Sequence, residues 1–193
     1  MNPPAVVFVP GLRDEVPGHW QSLLQARLPG SACVPRLGKD NLSLAAWVKA
    51  IDRTVAAMPR PVVLVAHSAG VMMVAHWALG LWSDVCGALL VAPPDLEAGL
   101  PAGYPAKEAL AQNGWMPIPR VSLPFRSVLV GSSNDPLCSL ARAKSFAGAW
   151  GSEWIDAGAV GHLNPASGHG EWPQAMELLA RFGVELPAQS AAA

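Results

Sequence analysis

Short apolar runs rich in β-branched residues recur along the chain, and between them apolar residues fall at helical spacing. Residues 5–9 (AVVFV), 62–65 (VVLV), 85–92 (VCGALLVA) and 126–130 (RSVLV) read as strands buried on both faces, the habit of a parallel sheet. Weaker strands are predicted at 32–37 and 154–156. A helix is predicted from about His19 to Leu28. Another runs through Leu44, Trp47, Val48, Ile51 and Val55, with Ser43 as its cap and Lys49, Asp52 and Arg53 outward. A third contains Met72, Met73, Val74, Trp77 and Leu81, and two more are expected over 137–150 and 172–182. Pro59 and Pro61 separate the second helix from the strand that follows it.

The alternation breaks once. Residues 93–125 are rich in Pro and Gly and hold one short helical stretch, 106–112. So long an excursion is usually functional or mobile. A pocket wall presenting Trp115 and Met116, and a loop packed passively over the sheet, both fit it. Residues 187–193 read as a frayed tail, which leaves 1–186 as a single domain large enough to bury a substantial core.

Composition narrows the function classes. The 193 residues are 51% apolar with a net charge of -1, and no Lys/Arg cluster exists to neutralise phosphates, so nucleic acid is not expected. No apolar run reaches the roughly 18 residues of a membrane span. The start, MNPPAVVFVPG, lacks the basic residues of a signal peptide. Cys33, Cys86 and Cys138 are too few and too scattered for a disulfide framework or a zinc site. The expected compartment is the reducing cytosol.

The chemistry centres on residues 61–77, PVVLVAHSAGVMMVAHW. Strand, sharp turn with Ser68, then helix is the setting of a nucleophile elbow, here AxSxG with Ala66 in place of the usual Gly. The plainer alternative is a serine that caps the helix. The loop after the first strand and the residue after the serine would supply oxyanion-hole amides, those of Leu12 and Ala69. Gly11, His19 and Trp20 lie near that loop and are candidate pocket residues, with Trp115 from the excursion. His67 adjoins the serine but points away from it and reads as a scaffold residue. His76 is about 12 Å further along the helix, too far to act as a base.

Further on, Asp135 follows the fifth strand and His162 the sixth. Serine needs a base within hydrogen-bond reach, histidine titrates near neutrality, and a carboxylate fixes its tautomer. Ser68, Asp135 and His162 stand in the chain order of the α/β-hydrolase triad. Asp95 is the competing acid, His169 the competing base, and Asp135 also reads as an ordinary Asp-Pro turn. His162, His169 and Asp135 lack metal-ligand spacing, and no phosphate or dinucleotide loop is present.

On these residues the chain resembles a known family, the small α/β serine hydrolases that include the retinoblastoma-binding hydrolase and its bacterial homologues. The carrying segments are VFVPGL, VLVAHSAG, LPFRSVLVGSSNDPLC and GHLNPASGHGEWP, and the resemblance runs to Phe182. It implies an α/β-hydrolase-like, doubly wound, mostly parallel six-stranded sheet with helices on both faces. It also implies Ser68, His162 and Asp135 as nucleophile, base and acid in hydrolysis of a small ester or amide, without metal or organic cofactor. No LxCxE motif occurs, so a retinoblastoma-type partner is not carried over. A binding protein on the same scaffold, with little turnover, is the competing class.

Overall fold

The computed structural model describes residues 3–12, 16–38, 40–59, 61–80 and 84–185. Its strands are β1 (Ala5–Val9), β2 (Ala32–Cys33), β3 (Val62–His67), β4 (Val85–Val91), β5 (Arg126–Gly131) and β6 (Glu153–Asp156). Its helices are α1 (Trp20–Ala26), α2 (Leu44–Ala56), α3 (Ala69–Trp77), α4 (Lys107–Gln112), α5 (Leu140–Trp150) and α6 (Pro173–Ala180). The strands form one sheet in the order β2-β1-β3-β4-β5-β6. Every neighbouring pair is parallel, so the sheet is parallel throughout rather than mostly parallel.

Side chains alternate across a strand, and the apolar runs therefore feed two cores. Val7, Val9, Leu64, Ala66, Leu90 and Leu129 face α2, α3 and α5. Val6, Phe8, Val63, Val65, Leu89 and Val130 face α1 and α6. Helix α2 is amphipathic as its spacing predicts, burying Leu44, Trp47, Ile51 and Val55, and the Ser43 hydroxyl accepts from the Ala46 amide at 3.3 Å. Helix α3 is buried nearly all round, because it packs on β1 and β3 and is covered by α2. No helix among the described residues is long and apolar enough to cross a membrane.

Some element ends differ from the sequence expectation, for local reasons. Strand β2 stops at Cys33, and its last ladder bond is the Val34 amide to the Phe8 carbonyl at 2.8 Å. Pro35 follows and has no N–H to continue. Helix α5 begins at Leu140, not at 137. An Asx turn holds residues 135–137, with Asp135 Oδ1 accepting from the Leu137 amide at 2.8 Å, and Ser139 then caps the helix. Leu81 and the expected tail at 187–193 lie outside the described residues.

The packing is tightest where α3 crosses β1. A Cβ added to Gly70 would stand 2.3 Å from the Val9 carbonyl oxygen and 2.7 Å from that of Pro10. Both obstacles are backbone and cannot rotate away. Gly70→Ala should therefore lower the urea midpoint by the equivalent of about 3 kcal/mol or more. Gly148→Ala, in the exposed last turn of α5 with nothing within 4 Å, should gain up to about 0.5–1 kcal/mol from helix propensity. A Gly70→Ala midpoint equal to wild type would contradict this account of the α3–β1 contact.

Candidate active site

Strand β3 delivers Ser68 to the carboxyl edge of the sheet and α3 carries the chain away. Ser68 has φ 56 and ψ −128, a region L residues rarely occupy. Its amide donates to the Val91 carbonyl at 2.9 Å, and its carbonyl accepts from the Val71 amide at 2.9 Å. The residue occupies the N-cap position of α3, yet its side chain makes no capping bond. Instead Ser68 Oγ lies 2.8 Å from His162 Nε2.

The other ring nitrogen, His162 Nδ1, stands 2.8 Å from Asp135 Oδ2 and 3.0 Å from Oδ1. Both side chains are buried, 6% and 3% exposed. A carboxylate only accepts, so Nδ1 carries the proton and Nε2 is free to accept from the serine. Asp135 thus closes its Asx turn and holds the histidine with one carboxylate.

The acid turn and the histidine loop are stitched together. Ala157 donates to the Gly131 carbonyl and Ser133 to the Gly158 carbonyl, both at 2.9 Å. Ser132 Oγ accepts from the Val160 amide at 3.1 Å and donates to Asn134 Oδ1 at 2.9 Å. Asn134 Oδ1 also accepts from the Gly161 amide at 2.6 Å. Ser132 and Asn134 tie the two loops together, and residue-type reasoning passed over them. Their signal was the SxNDP spacing, which puts two short polar side chains just before the acid.

Three further histidines surround the site. His67 is buried, with Nε2 2.9 Å from the His162 carbonyl oxygen and ring centroids 5.0 Å apart. Burial, then the neighbouring His162 and His19, pushes its pKa well below the usual value. His19 Nδ1 accepts from the Gln21 amide at 3.2 Å and so caps α1. Burial, then Arg36, His162 and His169, lowers His19 to about 4. His169 packs on Trp172, and its amide donates to the Asn164 carbonyl at 3.1 Å. It orders the loop, while His162 is the histidine that meets Ser68. His76 donates to the Trp115 carbonyl at 3.1 Å, away from the site. The buried Gln21 ties β1 to β3 by donating to the Val9 and Val65 carbonyls at 3.3 and 3.0 Å.

A cavity of about 760 Å³ opens above Ser68. Gly11, Leu12, His19, Ser68, Ala69 and His162 line it, as do Arg36, Leu42, Leu96, Leu100 and Leu137. A Cβ on Gly11 would sit 3.3 Å from Ser68 Cβ, so this position stays bare beside the serine. Two candidate pocket residues are elsewhere. Trp115 is fully buried, its Nε1 donating to the Leu42 carbonyl at 2.7 Å, because its ring completes the core under the excursion. Trp20 packs edge-on to Trp172 and His67 in the other core. Neither borders the cavity.

The wall belongs to the excursion, which is pinned. Asp95 Oδ2 lies 3.0 Å from Arg142 Nε, and its Oδ1 accepts from the Glu97 and Ala98 amides at 3.2 Å. Glu97 pairs with Arg142 and, at 2.8 Å, with Arg120, and both guanidiniums stack over Phe146. Asp95, the alternative acid, is therefore committed to this clamp. Cys138 is buried nearby, and burial together with Asp95 and Asp135 pushes its thiol up to about 12, so it is no nucleophile. Among the described residues no cluster could hold a metal ion.

Comparison with known proteins bears on the family and the fold. The family model for serine hydrolases matches residues 6–181. No curated protein matches the chain. The structure of a YdeN-like hydrolase from Pectobacterium atrosepticum is 32% identical, with TM-score 0.79, covering 93% of this chain and 90% of that one. The ydeN gene product of B. subtilis has the same fold at 18% identity and TM-score 0.71, covering 93% and 98%. Esterase 2 from Thermogutta terrifontis is similar at 19% and 0.66, covering 96% and 85%.

The depressed histidines make stability depend on pH. For His19 the folded value, about 4, is below the unfolded 6.5, so the unfolded chain takes up the proton first. The stabilisation is complete above 6.5 and is lost as pH falls towards 4, by up to about 3 kcal/mol from this residue. The urea midpoint should fall across that window. His19→Asn keeps a capping acceptor and should flatten the slope; an unchanged slope would remove His19 as its source.

Proposed function

The chain belongs to the serine hydrolase family, and on that premise we propose that it hydrolyses carboxylic esters through an acyl-enzyme on Ser68. One observation carries the reading: an unbroken hydrogen-bond chain from Ser68 Oγ through His162 to buried Asp135, on a serine held at positive φ.

His162 Nε2 takes the Ser68 proton as Oγ attacks the ester carbonyl. Asp135 holds the ring in the Nδ1–H tautomer and stabilises the imidazolium that forms. The carbonyl oxygen becomes an oxyanion taken up by the amides of Leu12 and Ala69, two residues that line the cavity with Ser68. Each such donor is worth about 10²–10³ in rate. Collapse breaks the bond to the alcohol, which leaves with the proton from His162. Water then gives a proton to His162 and attacks the acyl carbon, and the returning proton frees Ser68 and the acid. Side chains and water suffice for every step. Leu96, Leu100 and Leu137 suit an apolar portion of a small substrate. An amide carbonyl would meet the same groups but has a poorer leaving group.

A fluorophosphonate probe should label the wild type, and Ser68→Ala and His162→Ala should abolish labelling. Turnover of an activated ester should fall about 10⁶-fold in Ser68→Ala. Asp135→Asn should cost about 10⁴-fold, and Asp95→Asn far less. A wild type that is neither labelled nor active would favour a binding protein on this scaffold. Asp95→Asn inactive beside a normal Asp135→Asn would overturn the choice of acid.

A further inference from the structure

We infer that His67 is a positioning residue for His162, holding the main chain of the base where Asp135 holds its ring. The inference rests on the reading of His162 as the base. It starts from the one hydrogen bond His67 makes to that loop, Nε2 to the His162 carbonyl oxygen at 2.9 Å.

A carbonyl only accepts, so His67 must carry its proton on Nε2. The ring is enclosed by His19, Trp20 and His162, at centroid distances of 4.7, 5.9 and 5.0 Å. These contacts fix its plane. Burial keeps it neutral, against the modest opposing pull of its own bond to the carbonyl. Neutrality matters here, because a charged ring 5.0 Å from His162 would oppose the imidazolium that must form there.

The loop needs such a hold. Gly161 and Leu163 on either side of His162 have φ of 61 and 45, and Leu163 is a branched-chain residue in a region that suits glycine. A segment bent twice in three residues keeps its shape only if its surroundings fix it. Ser132 and Asn134 secure the amides of Val160 and Gly161 from the acid side. His67 secures the carbonyl that follows from the nucleophile side. As Ser68 is the next residue, one rigid strand end sets both the nucleophile and the main chain of its base.

The test compares His67→Leu, which loses the donor, with His67→Gln, whose amide N–H can reach the same carbonyl. For an activated ester, kcat should fall about 10²-fold in His67→Leu, as for a group displaced by about 1 Å, with KM little changed. Fluorophosphonate labelling should slow in parallel, and His67→Gln should recover most of both. If both variants fall alike, in step with loss of thermal stability, the residue is only core and the inference fails. Wild-type turnover in His67→Leu would also overturn it. His162→Ala labelled at the wild-type rate would instead remove the base assignment itself, so the two failures are distinguishable. A two-bond 1H–15N spectrum of the wild type needs no variant. His67 should appear as the Nε2–H tautomer and stay neutral through the ordinary histidine range, among neighbours His19, His162 and His169. An Nδ1–H tautomer or a titrating ring would overturn the inference.

Discussion

Between α3 and β1 there is no room for a side chain, and the site is assembled on that contact. Gly70 meets the Val9 and Pro10 carbonyls at distances that exclude a methyl group, so the helix leaves the sheet immediately after β3. The turn this forces is the one that lifts Ser68 to φ 56. Such a backbone costs about 1–3 kcal/mol and survives only where the neighbourhood over-determines it. Here β3 is gripped between β1 and β4, and α3 is buried along almost its whole circumference. Gly11 is held bare for a related reason, since a Cβ there would sit 3.3 Å from Ser68 Cβ. Of these two glycines, Gly11 borders the cavity beside Ser68.

Asp135 and His162 lie on different loops, yet the loops are bonded to each other. Four hydrogen bonds join residues 131–134 to residues 157–161 beside the pair itself, and a further bond links Ser132 to Asn134. The pair is therefore set by a network in which each member is satisfied, the condition under which buried polar groups give rigidity rather than frustration. His67 closes the assembly from the strand side.

Much of this was legible in the residues. Apolar runs of strand length, alternating with helical spacing, were enough to place all six strands and the turn at Ser68. The order of Ser68, Asp135 and His162 pointed to the cluster that the structure brings within hydrogen-bond distance. What stayed hidden depended on side-chain direction. Nothing in the sequence distinguishes a tryptophan that faces a cavity from Trp115, which turns inward to donate to Leu42. The length of β2 was hidden for a different reason, since it is set by where Pro35 interrupts the ladder. The excursion was recognisable as irregular, but not as clamped. The ion pairs that fix it join Asp95 and Glu97 to arginines more than twenty residues away, a separation that no local pattern reports.

That clamp bears on how molecules enter and leave. Surface ion pairs contribute little to global stability, about 0–1 kcal/mol each, but the two arginines of this clamp stack on Phe146 and, with Asp95 and Glu97, fix where the segment lies. The far end is tied as well, by the Trp150 indole to the Pro119 carbonyl at 2.8 Å and the Leu123 amide to the Trp150 carbonyl at 3.0 Å. A wall moored at both ends has no shut position of its own to swing from, so entry past this segment does not wait on its opening. Saturation by a dissolved ester should then be simply hyperbolic, with no lag and no burst of activity when the substrate passes its solubility limit and forms droplets.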